Sequence, residues 1–328
     1  VQRRLAQGRT EEEGGRGEAA LTVSAREAGA RVLVTGGSGL VGTALARALT
    51  ADRQLVGTLT RRSGGGGHVH WDPERGVIDA EALSAFEPEV VVHLAGENIA
   101  AGRWTPARKA AIRDSRVAGT SLLAGALAGM QRPPKLFVSA SAVGYYGDRQ
   151  GEPLDEGSAS GTGFLAETCR AWEGATASAA DRGIRVVLLR TGLVLDAGGG
   201  ALGKMLPFFR LGLGGRLGDG RQYISWIALP DLVASIRHIM KHEDISGPVN
   251  ATSPFPATNA EFTRVLARVL SRPALLPAPA SILRLAFGEM ADALLLSGAR
   301  VAPMRLLESG FTFRYPQLEP ALKAVLGR

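Results

Sequence analysis

Cysteine is nearly absent. Cys169 is the only one in 328 residues, which excludes an internal disulfide framework and fits a reducing, cytoplasmic setting. No apolar run reaches the roughly 18 residues that span a bilayer. The most apolar stretch, LLPAPASILRLAF (275–287), is short and interrupted by proline, so no membrane partner is expected. Residues 1–30 lack the basic and apolar regions of a secretory signal. The net charge of +7 is scattered arginine without a dense basic cluster or aromatic-interleaved RNA motif, so no nucleic-acid partner is expected either. Metal ligands are also scarce. No H-E-x-x-H occurs, and the pairs His68/His70 and His238/His242 have no evident third ligand, so no metal is expected. Asp231 reads as the N-cap of the helix carrying the second pair.

What the chain does have is glycine. Its 43 glycines exceed the average usage of about 7% and point to tight turns and close backbone approaches. The length suits about two domains. Residues 1–30 are polar and Gly-rich, reading as a flexible tail or linker. From Arg31 short β-branched runs alternate with helical stretches: RVLVT, a helix over 40–51, QLVGTLT, EVVVHLA, a helix over 106–129, KLFVSA, a helix over 162–182, and IRVVLLRT. Strands buried on both faces and separated by helices predict an α/β fold, a Rossmann-type doubly wound parallel sheet. The Pro-rich last third predicts a smaller α+β C-terminal substrate lobe. The expected division is 31–250 for the Rossmann domain, with part of the lobe inserted at about 195–228, and 251–328 for the C-terminal lobe.

VLVTGGSGLVGTALARAL places Gly36, Gly39 and Gly42 between a strand and an amphipathic helix. The first glycine permits the turn, the second admits a pyrophosphate, and the third lets helix approach strand. The helix N-terminus, with Leu40 and Val41, offers N–H groups to the phosphates. An NAD site usually carries an acid about 20 residues further on. Here Thr60, Arg61 and Arg62 stand in that place. A guanidinium there suits a 2′-phosphate, so NADP(H) is the expected cofactor.

TGGSGLVG, HLAG (93–96), SRVAGT (115–120) and SASAVGYYGD (139–148) follow the order seen in extended short-chain dehydrogenases/reductases. With the blocks LLRTGLVLDAGGGALGKMLPFFRLGLGGRLGDGRQYISWI, GPVNATSPFPATNAEF and FGEMADALLLSGARVAP, the chain resembles an atypical branch of these enzymes. That branch is usually called the epimerase family proteins, with their own C-terminal domain of unknown function. The resemblance covers about residues 31–325. It implies that Thr60 and Arg61 meet the adenosine phosphate, and that Leu94, Ala95 and Gly96 pass the adenine ribose and pyrophosphate. It also implies that Arg116 faces cofactor or substrate, and that Leu193 and Val194 meet the nicotinamide.

Enzymes of this superfamily use a serine, a tyrosine and, four residues after the tyrosine, a lysine, with the phenol as acid/base. Leu165 and Cys169 occupy the tyrosine and lysine spacing here. Neither transfers protons in that role, and Cys169 reads as a core residue. Ser139 and Ser141 follow the fifth strand, with Ser141 preferred as the catalytic hydroxyl. Tyr145 and Tyr146 are candidate phenols, or simply aromatic packing. Glu173 reads as a structural acid. Glu97, Asn98, Lys204, Gln222 and Trp226 are candidate substrate contacts. The expectation is an NADP(H)-binding oxidoreductase or sugar-nucleotide-type epimerase, a monomer or homodimer acting on a small molecule. The alternative is a catalytically silent NADP(H)-binding regulatory or assembly protein.

Overall fold

A computed structural model describes residues 29–61 and 68–328. Most of the expected tail, residues 1–28, and Arg62 lie outside these. β1 (Arg31–Thr35) is β-branched and buried on both faces after its first residue, as a central parallel strand should be. The glycine turn leads into α1 (Leu40–Ala51). β2 (Leu55–Thr60) and β3 (His68–Asp72) extend the sheet in parallel, and β4 (Val77–Ile78) turns back antiparallel on β3. The two residues of β4 are too few to carry a period in the sequence.

After α2 (Ala80–Phe86) the chain crosses to the other side of β1 as β5 (Val90–His93). α3 (Pro106–Ala128) starts at Thr105, whose hydroxyl accepts the Arg108 N–H (3.1 Å), with Pro106 in its first turn. Such a cap stabilises by about 1 kcal/mol. β6 (Leu136–Ala142) follows, then a 3₁₀ turn over Val143–Tyr146 and β7 (Pro153–Leu154).

The single helix expected over 162–182 is two, α4 (Phe164–Gly174) and α5 (Ala177–Asp181). Thr176 ends the first by donating both its hydroxyl and its N–H to the Glu173 carbonyl (2.8 and 3.2 Å), the local competition that makes threonine a poor helix interior. β8 (Arg185–Thr191), β9 (Leu193–Leu195), α6 (Gly200–Arg210), β10 (Tyr223–Ile224), β11 (Trp226–Ala228), α7 (Leu229–Lys241) and β12 (Gly247–Ala251) follow. Asp231 is not an N-cap. Ala228 holds that place, and the buried Asp231 carboxylate accepts the backbone N–H groups of Arg314 and Tyr315 (2.8 and 2.9 Å). β13 (Ala257–Thr258), α8 (Asn259–Leu270), α9 (Ala280–Phe287), β14 (Arg300–Val301), α10 (Met304–Glu308) and α11 (Leu318–Val325) complete the chain.

The main sheet has the order β12-β8-β6-β5-β1-β2-β3-β4 and is parallel apart from β4. The order reverses between β1 and β5, and the strand ends at such a switch point form the ligand crevice of open α/β sheets. α1 and α7 cover one face through Leu45, Leu49 and Ile236. α3 and α5 cover the other through Leu123, Leu127 and Ala179. Fully burying each such leucine stabilises by roughly 1.5–3 kcal/mol. A further core joins β9, β11 and α6 to α8 and α11. Residues 299–302 return to the loop after β6, where β14 pairs with β7. The fold is therefore the Rossmann type, with an additional core beyond the last sheet strands.

Candidate functional site

The glycine turn sits at the switch point. Gly36 has φ +68°, and a Cβ there would lie 2.9 Å from the Leu94 carbonyl, so both conformation and space demand glycine. At Gly42 a Cβ would strike the Gly36 carbonyl oxygen. No side chain caps α1 at Gly39. Its first-turn N–H groups, those of Leu40 and Val41 among them, therefore stand at the switch point without a side-chain cap. That is the arrangement a pyrophosphate needs. Leu40 also packs against Gly199 and Gly200 at the start of α6, just after Leu193 and Val194, which pair with Trp226 and Ile227 in β11. Thr60 and exposed Arg61 end β2. The turn, the β2 end and the β5 end thus offer backbone donors, a hydroxyl and a cation that fit a dinucleotide phosphate.

What holds the β5 end in place is a buried neutral network. Register puts Thr35, His93 and Ser139 side by side across β1, β5 and β6, on one face of the sheet. Thr35 Oγ1 accepts the N–H groups of Leu94 and Ala95 (3.0 and 3.1 Å). Its own hydrogen therefore goes to His93 Nδ1 at 2.7 Å. That fixes the tautomer: His93 Nε2–H donates to Thr120 Oγ1 (3.0 Å), which also accepts the Trp172 indole N–H (2.9 Å). Burial pushes the imidazole pKa down to about 4, so His93 is neutral at physiological pH.

Two residues further along the same face, register aligns Ser141, Arg190 and Asn250 across β6, β8 and β12. Arg190 forks onto Glu173 of α4, Nε to Oε1 and Nη2 to Oε2, both 2.8 Å. The two side chains are only 4% and 9% exposed. Burial opposes the Arg190 charge, but hydrogen bonds to Glu173 and its negative charge outweigh it and hold the guanidinium above its ordinary pKa. Ser141 Oγ donates to Glu173 Oε1 at 2.7 Å. A carboxylate has no hydrogen to give, so the serine hydrogen is committed and its lone pairs remain as acceptors. Arg190 also lies 3.4 Å from the ring centroid of Tyr145.

The candidate phenols separate. Tyr146 is fully buried, its hydroxyl donating to Asn250 Oδ1 (2.8 Å) and accepting from Arg190 Nη1 (3.0 Å). Burial raises its pKa, opposed by Arg190 and Asn250. Its place is inside this network. Tyr145 is half-buried at the network's edge, packed edge-on against Tyr146. Ser139 is fully buried with its Oγ unpartnered, leaving Ser141 as the serine at the strand end.

Arg116 stacks over Trp172 at 5.1 Å, donates to the Ile112 carbonyl (2.9 Å) and lies beside Gly96. Burial lowers its pKa, with Cys169 and Glu97 acting to raise it. Glu97 and Asn98 lie exposed on the loop after β5. Arg108 pairs with the Glu97 carboxylate (2.9 Å) and binds the Asn98 carbonyl. Lys204 reaches the same loop through the Ala100 carbonyl (3.3 Å). Gln222 and Trp226 do not join them. Gln222 Nε2 donates to the carbonyls of Leu217 and Leu295, and fully buried Trp226 donates to that of Phe255. Both side chains are engaged in internal hydrogen bonds. Cys169 is buried, and burial with the Glu173 charge pushes its thiol up to about 11. Arg190, His93 and Asn250 were absent from the expected site. Their signal was a polar residue inside an otherwise apolar parallel strand or at its end, which demands a buried partner.

The model of the NAD dependent epimerase/dehydratase family matches residues 32–251, and that of a domain of unknown function (DUF1731) matches 278–325. An epimerase family protein from Mycobacterium bovis is 45% identical over 296 residues, covering 90% of this chain and 97% of its own. The human epimerase family protein SDR39U1 is 38% identical, covering 90% and 99%. The crystal structure of that human protein (isoform 2) with NADPH aligns at TM-score 0.83 and 36% identity, covering 91% of this chain and 99% of the other.

Proposed function

The chain belongs to the NAD dependent epimerase/dehydratase family, and from that premise we propose that it binds NADP(H) and acts as an oxidoreductase or epimerase on a small hydroxyl-bearing molecule. The glycine turn and α1 hold the pyrophosphate, Arg61 and Thr60 the 2′-phosphate, and the Leu94–Gly96 strand end the adenosine side. Human SDR39U1, crystallised with NADPH, supports the choice of cofactor. When bound, the nicotinamide supplies a hydride donor or acceptor.

The observation that carries the reading is the Ser141 hydroxyl, fixed by the Glu173–Arg190 pair at the same end of the sheet as the uncapped glycine turn. Its hydrogen is taken, so Ser141 accepts from a substrate hydroxyl and gives no hydrogen bond to a carbonyl. Tyr145 is the proton carrier, with Arg190 over its ring where negative charge would develop.

The test is NADPH binding followed by hydride exchange from deuterated NADPH with a panel of sugar nucleotides and simple carbonyl compounds. Exchange that disappears in a Ser141→Ala, Tyr145→Phe double variant, with NADPH affinity kept, is the expected outcome. Tight binding without exchange on any compound would leave a silent binder. Arg61→Ala is expected to weaken NADPH roughly tenfold or more, the scale of a charged hydrogen bond, and NADH hardly at all. Equal losses would remove Arg61 from the 2′-phosphate.

A further inference from the structure

The stretch 275–287, too short to span a bilayer, is on the surface. α9 buries only Leu283, while Ile282 is 58% and Leu285 78% exposed, and Leu275 just before the helix is 80% exposed. A second apolar segment lies beside it. The backbones of 213–218 and 274–278 are joined by bridges Leu213–Ala274 and Leu217–Ala278, with Ala278 N–H donating to the Arg216 carbonyl (2.9 Å). That places Leu211 (73% exposed) and Leu213 next to Leu275 and Leu276. Among the described residues thirteen large apolar side chains are exposed, and eight fall within 208–213 and 275–287. The bridges set these two stretches side by side, and exposed apolar surface gathered in this way marks interaction sites.

The charge around the patch is mainly positive. Residues 197–218 and 262–288 contain no Asp or Glu. Arg210, Arg216 and Arg272 are exposed and make no ion pair among the described residues, whereas Arg284 is matched by Asp292 (2.9 Å). We propose that this apolar, arginine-rimmed surface docks peripherally on an anionic lipid bilayer. Leucine and isoleucine side chains on a short helix and strap enter the acyl boundary, while the arginine stems lie along it and their guanidinium groups meet lipid phosphates. A second copy is disfavoured by symmetry, because an isologous contact would set the same arginines against each other. The absence of a spanning segment bears on crossing a bilayer and leaves surface docking open. Beyond the patch the chain continues into Glu289, which pairs with Lys109 (2.9 Å), and Met290, which packs with Trp104 and Ile112. The docked face therefore borders the loop that carries Glu97 and Asn98.

The test is flotation of the full chain with vesicles of phosphatidylcholine alone or with about 30% phosphatidylglycerol, at low and physiological salt. Partition is expected to be roughly tenfold or more stronger on the anionic vesicles and to weaken with salt. Leu275→Glu with Leu285→Glu should abolish it, and Arg216→Gln with Arg272→Gln should remove the preference for anionic lipid, both with circular dichroism unchanged. All four side chains are exposed, so the variants should fold. No partition, equal partition on the two vesicles, or partition indifferent to the leucine substitutions overturns the proposal. So does a self-associating wild type that becomes monomeric in the leucine variant by sedimentation velocity, since a second copy would then cover the patch.

Discussion

Two neighbouring rows on the same sheet face handle buried polarity in opposite ways. Thr35, His93 and Thr120 hold the β5 end with neutral groups, hydrogens running from Thr35 through His93 to Thr120. Ser141, Glu173 and Arg190 hold the β6 end with a full ion pair. A neutral chain orders backbone at little desolvation cost but fails when its histidine takes a proton. An ion pair keeps its charge over a wide pH range but tolerates no loss of a partner, since a buried charge left alone is costly. The first suits a rigid shelf for a cofactor. The second suits a place where a hydroxyl must keep one orientation while charge develops nearby.

The largest expected effect breaks the charged row. Arg190→Ala strands the Glu173 carboxylate among buried groups and removes a donor from Tyr146, and should cost about 3–5 kcal/mol of stability. Joint replacement, Arg190→Met with Glu173→Leu, should cost much less, because no unpaired charge remains. Urea denaturation decides between them. If the single variant were no worse than the double, the pair would not be the organising element of this row.

Acid should break the neutral row. The folded pKa of His93 is lowered to about 4 from an ordinary 6.5. The unfolded chain therefore binds a proton that the folded chain refuses between those values. Stability is full above pH 6.5, falls as pH drops through the window, and levels below pH 4. The loss is about 3 kcal/mol at about 1.4 kcal/mol per unit. Buried Glu156 and Asp231 have raised carboxyl values, and they push the other way, gaining stability as pH falls. The measurement is therefore the difference between wild-type and His93→Gln stability curves. A flat difference from pH 7 to 4 would mean that His93 is not held neutral by its surroundings.

Ser141→Ala should do less to the fold. Glu173 keeps both bonds to Arg190, so only one hydrogen bond to a charged group is lost, about 1.5–3 kcal/mol. A denaturation cost approaching that of Arg190→Ala would make Ser141 part of the framework rather than a hydroxyl presented by it.

The two rows were not equally legible in the sequence. Strand and helix order, the glycine turn and the end of β2 follow from local pattern, because backbone conformation there is dictated by neighbours in the chain. The place of Ser141 is legible for the same reason, at the end of an apolar strand. Arg190 and Glu173 are 17 residues apart, and Ser141 and Glu173 are 32. Only sheet register and the packing of α4 bring them together, and no local period encodes that. Gln222 and Trp226 show the opposite case. They lie in a block specific to this family, but their side chains answer to internal carbonyls. The break at Thr176 turned on one hydroxyl competing with the helix.

Cys169 stands between the rows, with Glu173 of the charged row on one side and Arg116 on the other, and gives the smallest and most discriminating test. Burial is the main cause of its raised pKa of about 11, Glu173 adds to it, and Arg116 opposes it. Relative to the ordinary 9, two units leave roughly a hundredfold less thiolate near neutral pH, and the thiolate is the reactive form. Alkylation by iodoacetamide should therefore be slow in the folded protein. Glu173→Gln removes a negative charge and should move the midpoint of the rate–pH profile down. Arg116→Gln removes a positive charge and should move it up. Either variant can also loosen the fold, but more frequent opening raises the rate at every pH without moving the midpoint in opposite directions. Midpoints that shift the same way in both variants, or not at all, would mean that neither charge reaches the thiol, and that Arg116 and Glu173 do not share an electrostatic environment at the end of the sheet.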